Sequence, residues 1–225
     1  MNWGWYISAL FYEVAYSKLM HDIDGYTLGF LAHADKLENS RILDVGAGTG
    51  NIDFKLIDAG ARKVVSIENN PAMLWRLNAK RKKKQVYFEK TEIKPDDMYS
   101  GIIKELGNQE RFDVELFRRC LYKEKHLVTE ILEQGFDCLH DDGIMFIVHP
   151  ERDKNRYLDN GFGGIALSHF LKWHISEVGK RIAIDYHRYT QEELVSICKD
   201  ACRDSCIQVY SPLRPAYNII TVIKR

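Results

Sequence analysis

One short segment places an aspartate and three glycines at every second position: Asp44, Gly46, Gly48 and Gly50. Glycines at this spacing let the chain turn sharply and let a ligand approach the bare main chain. A dinucleotide-binding loop, G-x-G-x-x-G, would need its third glycine at position 51, which is Asn51. Because a carboxylate would repel a pyrophosphate, Asp44 favours a ligand that carries an ammonium group and no phosphate.

The complete pattern of this segment is D-x-G-x-G-x-G, between a predicted strand and a predicted helix. It resembles motif I of the class I S-adenosylmethionine-dependent methyltransferases. The resemblance implies that S-adenosyl-L-methionine is the cofactor and that the whole loop contacts it. The implied contact residues are Asp44, Gly46, Ala47, Gly48, Thr49 and Gly50.

Two further acids stand near the ends of predicted strands. Residues 63–68 predict a strand that ends at Glu68, where nucleoside-binding α/β folds use an acid to accept hydrogen bonds from ribose hydroxyls. Asn70 before Pro71 predicts a helix start, with a side-chain cap and a proline at the first helical position. Residues 85–90 predict a third strand, after which the resemblance implies that Glu92 receives the adenine amino group. The expected contacts here are Glu68, Asn69, Asn70, Glu92 and Ile93.

A predicted fourth strand, residues 112–116, is followed by Phe117, Arg118 and Arg119. The resemblance implies that this turn faces the transferred methyl group, with Phe117 at the cofactor. Arginine suits bidentate recognition of a carboxylate or phosphate, so Arg118 or Arg119 is predicted to hold an anionic acceptor. An ion pair with the next helix or with Asp113 explains an arginine equally well. The family's amino-methylating DNA and glutamine enzymes carry Asn-Pro-Pro-Tyr here; its absence disfavours a nucleobase amine as acceptor.

Three more side chains are candidates for the acceptor side of the site. His149, after a predicted strand at residues 143–148, is the first candidate general base, and His187 is the second. A purely structural histidine stays open for either. Tyr16 ends a segment, residues 11–16, that resembles the lid of small-molecule methyltransferases of the ubiquinone and menaquinone type. A lid would exclude water from the sulfonium, whereas a plain core helix would also explain these residues.

The helices and strands that the sequence predicts around these residues indicate one domain over residues 1–225. Apolar spacing predicts helices at residues 5–20, 51–59, 125–140 and 191–202, the last with a capping box of Thr190 and Glu193. Strands at 207–210 and 217–223 would close the sheet. The expected fold is a Rossmann-like α/β sheet of seven mostly parallel strands with an antiparallel last strand, helices on both faces and an N-terminal lid helix. Its predicted parts are a helical lid (1–38), a cofactor-binding core (40–150), a substrate-shaping insertion (151–185) and a C-terminal helix with a strand pair (186–225).

The composition indicates which classes of partner are disfavoured. Basic and acidic residues balance at 32 each, so no overall field favours nucleic acid or an anionic membrane. No segment has the roughly 18 uncharged apolar residues of a membrane span, and the N-terminus is a poor signal peptide. Five cysteines, an odd number, disfavour a disulfide framework, and the spacing of Cys198, Cys202 and Cys206 fits no metal site. We therefore expect a cytoplasmic protein without a bound metal.

Together these patterns predict an S-adenosylmethionine-dependent methyltransferase that acts on a small, anionic molecule or a peptide. The acceptor atom (oxygen, nitrogen or carbon) and the oligomeric state stay open. One alternative is a protein or RNA methyltransferase, which would have a basic face at the crevice. The other is a non-catalytic relative that only binds the cofactor, for which a damaged glycine motif is expected.

Overall fold

Seven mostly apolar segments form the strands of one mixed sheet. The computed structural model describes residues 21–150, 189–203, 205–210 and 217–224. The strands are β1 (Arg41–Val45), β2 (Lys63–Ile67), β3 (Thr91–Lys94), β4 (Phe112–Arg118), β5 (Leu139–Pro150), β6 (Ser205–Tyr210) and β7 (Tyr217–Lys224). They are ordered β3-β2-β1-β4-β5-β7-β6. The first five are parallel, and β7 runs antiparallel to both of its neighbours. The predicted fold class is confirmed.

Helices cover both faces of this sheet. They are α1 (His21–His33), α2 (Asn51–Asp58), α3 (Pro71–Arg81), α4 (Gln85–Lys90), α5 (Ile102–Gln109), α6 (Lys125–Cys138) and α7 (Gln191–Ala201). The predicted helix at residues 5–20, with Tyr16, and the predicted insertion at 151–185 lie outside the described residues, as does His187. Among the described helices, none is long and apolar enough to cross a membrane.

The two faces of the sheet are buried against different helices. Even-numbered residues of β1 and β4, such as Ile42 and Leu116, pack with α1 and α2 on what we call the α1–α2 face. Odd-numbered residues, such as Leu43 and Phe117, pack with α5, α6 and α7 on the α5–α7 face. This alternation follows from the two-residue period of a strand. It assigns Asp44 and Arg118 to the α1–α2 face at the carboxyl ends of their strands.

The prediction that residues 85–90 form the third strand is wrong. They form helix α4, and β3 starts at Thr91, opposite Val64 of β2. Since β2 itself begins at Lys63, almost no β2 partner exists for residues before Thr91. Within α4 only Tyr87 is buried; its ring packs 4.6 Å from that of Phe54. A half-buried helical turn was therefore mistaken for an apolar strand.

The predicted helix starts are confirmed where they bear on the site. Asn70 caps α3 by accepting hydrogen bonds from the N–H groups of Ala72 (3.0 Å) and Met73 (3.3 Å), with Pro71 as the first helical residue. Thr190 and Glu193 form the predicted capping box at α7. Because only three residues separate β2 from α3, the first turn of α3 stands directly beside the end of that strand.

Candidate functional site

A cavity of about 270 Å³ opens at the carboxyl ends of the central strands. The neighbours of β1 are β2 on one side and β4 on the other, so the chain order reverses at β1. Open α/β sheets bind ligands at such a switch point. The wall of the cavity comes from the glycine loop after β1, from the residues after β2 and β3, and from the turn after β4.

The glycine loop needs its glycines for conformation and for space. Gly46, Gly48 and Gly50 all have positive φ, between 60° and 72°, in a region that other residues rarely adopt. A Cβ at Gly46 would lie 2.6 Å from the Cβ of Cys120, and one at Gly50 would lie 2.2 Å from Cδ1 of Leu77. Gly46 and Gly48 line the cavity. The intervening loop residues serve the fold: Ala47 packs against the core of the α1–α2 face, and Thr49 is buried.

Glu68 joins the glycine loop to the start of α3. Its Oε2 accepts a hydrogen bond from the N–H of Gly48 (2.7 Å), and its Oε1 accepts one from the N–H of Asn70 (2.8 Å). Burial raises the pKa of this carboxyl, while the N–H groups that it accepts from oppose the rise. Glu68, Asn69 and Asn70 all line the cavity, so this predicted group is brought together.

The predicted residues of β3 are not at the cavity. Glu92 is the second residue of that strand and forms ion pairs with Lys63 and Lys94, which lower its pKa to about 2. Ile93 packs against the core of the α1–α2 face. The lining residues on this side are Asp96 and Met98, which the sequence analysis missed.

The cause of this error is the misplaced third strand. With β3 ending at Lys94, the acids that follow it are Asp96 and Asp97. Pro95 was a signal for this strand end, because proline lacks the N–H that would continue the ladder. Asp97 accepts a hydrogen bond from the side-chain amide of Asn69 (3.1 Å), which links the ends of β2 and β3.

Asp44 is buried beneath the loop rather than exposed to a ligand. Its side chain is hydrogen-bonded to Asp53 of α2, whose Oδ2 also accepts a hydrogen bond from Ser66 (2.6 Å). Burial raises the pKa of Asp44 well above its usual value, and the charge of Asp53 adds to this. Burial beside Asp53 thus favours the protonated form of Asp44. This differs from the expectation of an ionised carboxylate that meets an ammonium group directly.

Both arginines after β4 line the cavity. Arg118 is only 8% exposed, and its Nη2 donates to Oδ1 of Asp24 on α1 at 2.6 Å. The expected partner Asp113 instead accepts the main-chain N–H of Arg41 (2.8 Å). Arg119 has a φ of +57°, and its N–H donates to the carbonyl of Val148. No sequence pattern indicated Asp24, which lies 94 residues from Arg118.

His149 and Phe117 are buried in the fold. His149 is fully enclosed, and its Nε2 accepts the main-chain N–H of Tyr189 at 3.3 Å. Its ring lies between those of Tyr122 (5.6 Å) and Tyr189 (5.8 Å), and of these three rings only Tyr122 lines the cavity. Phe117 belongs to the core of the α5–α7 face. The geometry gives neither side chain the direct contact with the cavity that was predicted.

The cysteines have no metal-binding arrangement. Cys198 and Cys202 are buried at α7, and Cys206 lies on β6. In the part of the chain that the structure describes, no group of three or more histidine, cysteine or acidic side chains could hold a metal ion. Cys120 lines the cavity, but burial raises the pKa of its thiol, so it is not poised to react as a thiolate.

Comparison with known proteins decides the family. A family profile described as "Methyltransferase domain" matches residues 21–201, most of the chain. The chain belongs to this methyltransferase domain family. Among curated proteins it is similar to the tRNA U34 carboxymethyltransferase of Shewanella oneidensis, with 29% identity over 101 residues. That match covers 45% of this chain and only 29% of the relative, so the chain spans under a third of the length of its curated relatives.

Solved structures of methyltransferases share the fold. Magnesium protoporphyrin IX methyltransferase from Synechocystis PCC 6803, crystallised with S-adenosylmethionine, superposes with a TM-score of 0.62 and 11% identity, covering 91% of this chain and 79% of that one. A putative O-methyltransferase from Nostoc punctiforme superposes with a TM-score of 0.66 and 13% identity, covering 95% and 59%. At these identities the similarity concerns the fold of this methyltransferase-domain chain and not its acceptor.

Proposed function

We propose that this chain is an S-adenosylmethionine-dependent methyltransferase acting on a small, anionic molecule or a peptide. The observation that carries the proposal is the composition of one cavity. Gly46, Gly48 and Glu68, which suit a nucleoside cofactor, line it together with Arg118 and Arg119. Membership of the methyltransferase domain family supports the reaction, and the guanidinium group of Arg119 supports the anionic acceptor.

The residues at the cavity fit the proposed cofactor. Glu68 would hold the ribose hydroxyls, and Asp96 or Asp97 would receive the adenine amino group. An added Cβ at Gly46 would clash with Cys120, so the loop must keep a bare main chain there. S-adenosylmethionine contains no phosphate, which agrees with a cavity lined by the carboxyl groups of Glu68 and Asp96.

The bound cofactor supplies an electrophilic methyl group on its sulfonium. The protein then has to align the acceptor and exclude water. An acceptor that is already ionised needs no general base, and none of the described histidines lines the cavity. Arg119 would orient the acceptor through the planar fork of its guanidinium group. His149 would act indirectly, by supporting Tyr122 at the wall.

The direct test is incubation of the protein with labelled S-adenosylmethionine and a fractionated metabolite extract. Mass spectrometry then identifies products that have gained one methyl group. With the acceptor in hand, we expect Arg119→Lys to lower kcat/KM about tenfold or more and to leave cofactor affinity unchanged, because the charge stays while the bidentate contact is lost. A neutral acceptor, or an unchanged kcat/KM, would contradict the role of Arg119.

A transfer-RNA acceptor is the second candidate, favoured by the similarity to a tRNA U34 carboxymethyltransferase. The balance of 32 basic and 32 acidic residues disfavours this candidate. Contacts with phosphates dominate the affinity for nucleic acid, and they require an excess of positive charge at the binding surface. Total tRNA and the metabolite extract should be offered in parallel reactions. Label that appears in nuclease-sensitive material would establish the RNA acceptor, and label confined to small molecules would exclude it.

A further inference from the structure

Three elements meet at the buried carboxylate of Asp24. Its Oδ1 accepts a hydrogen bond from Arg118 at the end of β4, and its Oδ2 accepts one from Lys55 of α2, both at 2.6 Å. Asp24 is 1% exposed, whereas the side chain of Lys55 is 42% exposed. The carboxylate therefore orients the guanidinium of Arg118, a residue that lines the cavity, while Lys55 contacts the carboxylate from the side open to solvent.

The position of Arg118 relative to the loop follows from the strand register. Asp44 pairs with Leu116, so Arg118 stands one step beyond the end of β1, opposite Gly46, on the same α1–α2 face as Asp44. The charge of Asp24 also contributes to the raised pKa of Asp44, as expected for two acids on the same face. Arg118 thus stands beside the glycine loop, where the cofactor would lie.

The cavity also determines which end of a nucleoside ligand lies near Arg118. Glu68 marks the ribose beside β2, and Asp96 lies on the outer side, after β3. With the adenine towards β3, the amino-acid end must extend the other way, across β1 towards β4. Neighbouring strands are about 4.8 Å apart, so β4 lies roughly 10 Å from β2, within reach of an extended methionyl chain.

We propose that Arg118, oriented by Asp24, binds the α-carboxylate of the cofactor's methionyl group. Arg118 lines the cavity, and the carboxylate of Asp24 that orients it also binds Lys55 through its other oxygen. A buried guanidinium forms strong, charge-assisted hydrogen bonds with a carboxylate. Arg118 then recognises the cofactor, Asp24 is its positioning residue, and Arg119 is left for the acceptor. This inference rests on the cofactor assigned under the proposed function.

Calorimetry with two ligands tests the assignment without knowledge of the acceptor. S-adenosylhomocysteine contains the whole amino-acid group, and methylthioadenosine contains the nucleoside and thioether without it. We expect Arg118→Met to weaken the binding of S-adenosylhomocysteine about tenfold or more, the usual size for a lost charged hydrogen bond, and to change methylthioadenosine affinity less than about threefold. An equal loss for both ligands, or no loss for either, would overturn the proposal.

Two controls separate this role from a general effect on the fold. Lys55→Met removes the other cation on Asp24 without changing a residue that lines the cavity, so the preference for S-adenosylhomocysteine over methylthioadenosine should persist.

The decarboxylated analogue of S-adenosylhomocysteine needs only the wild-type protein. We expect it to bind about tenfold more weakly than S-adenosylhomocysteine. Equal affinity would overturn the proposal even if Arg118→Met does not fold. A wild type that binds methylthioadenosine as tightly as S-adenosylhomocysteine would overturn it too. No binding of either ligand would overturn the cofactor assignment itself.

Discussion

The two faces of the sheet bury acidic side chains in opposite ways. On the α1–α2 face, Asp24 and Asp53 are buried and each accepts a hydrogen bond from a neighbouring side chain. On the α5–α7 face, Glu115 is fully buried, and its carboxyl oxygens have no hydrogen-bond partner among the described residues. A buried polar group without a partner is costly in its ionised form. The hydrogen bonds of Asp53 therefore oppose the effect of burial on its pKa, whereas burial favours the protonated form of Glu115.

This difference reflects where along the strands each acid lies. Glu115 pairs with Leu43 and Met145 in the middle of the sheet, far from the carboxyl ends. Space for it comes from Gly135 of α6, where an added Cβ would lie 2.4 Å from Oε2. The polar groups of the other face converge at the carboxyl ends, beside the cavity. One face is thus organised around a binding site, and the other is a core that tolerates a single acid.

The largest expected effect is the steric cost of adding a side chain to the glycine loop. Gly50→Ala should lower the free energy of unfolding by about 2–5 kcal/mol. About 1–2 kcal/mol of this comes from the left-handed backbone conformation, and about 1–3 kcal/mol from overpacking against Leu77. Gly101→Ala is the matched control, since Gly101 also has positive φ but no atom lies within 4 Å of the added Cβ. Urea denaturation measures both, and equal losses would contradict the packing argument.

A second test separates an acid at the cavity from one outside it. Glu68→Ala should weaken S-adenosylhomocysteine at least tenfold, because two charge-assisted hydrogen bonds to the ribose are lost, each worth about 1.5–3 kcal/mol. Glu92→Ala, on the neighbouring strand, should leave the dissociation constant unchanged. Titration calorimetry on folded protein gives both values. An unaltered affinity in the Glu68 variant would show that this acid is not at the ribose.

The third test concerns the unpartnered acid of the α5–α7 face. Burial raises the pKa of Glu115 well above its ordinary value, and only Lys224, whose Nζ donates to the carbonyls of Phe136 and Leu139, opposes this. Because the unfolded chain releases this proton near pH 4.3, stability should fall as the pH rises from there towards the folded pKa. The expected contribution is about 1.4 kcal/mol per pH unit.

Glu115→Gln removes the titrating group and should flatten this slope. The free energy of unfolding, measured in urea at pH 5, 6 and 7, should converge for the two proteins at low pH and diverge as the pH rises. Identical slopes in the wild type and the variant would mean that Glu115 is ionised in the folded protein. That result would remove the distinction between the two faces.

The sequence predicted the parts of the site that depend on local backbone chemistry. Gly46 to Gly50 and the cap at Asn70 act within a few residues of themselves, so their patterns were sufficient. Glu68 was predicted beside them because it directly follows a strongly apolar strand, and it lines the same cavity. The mostly parallel sheet agrees with the strands and helices that follow one another along residues 41–150.

Contacts between segments that are distant in the sequence could not be predicted from it. The ion pair of Asp24 and Arg118 depends on how α1 packs against the sheet, and no local pattern indicates it. Glu92 was misplaced because α4 carries the β-forming residues Val86, Tyr87 and Phe88, yet only Tyr87 finds a buried environment. His149 was predicted just after the fifth strand as a candidate general base, whereas it lies within β5 and accepts the N–H of Tyr189. In each case tertiary packing decided the outcome.

The central claim is that the carboxyl ends of β1, β2 and β4 form a site for S-adenosylmethionine. The most direct measurement is a calorimetric titration of the wild-type protein with S-adenosylhomocysteine and, separately, with NAD. The account predicts saturable binding of S-adenosylhomocysteine and no heat with NAD, because the carboxyl group of Glu68 already accepts the N–H groups of Gly48 and Asn70 that a pyrophosphate would bind. Tight binding of NAD without heat from S-adenosylhomocysteine would contradict it.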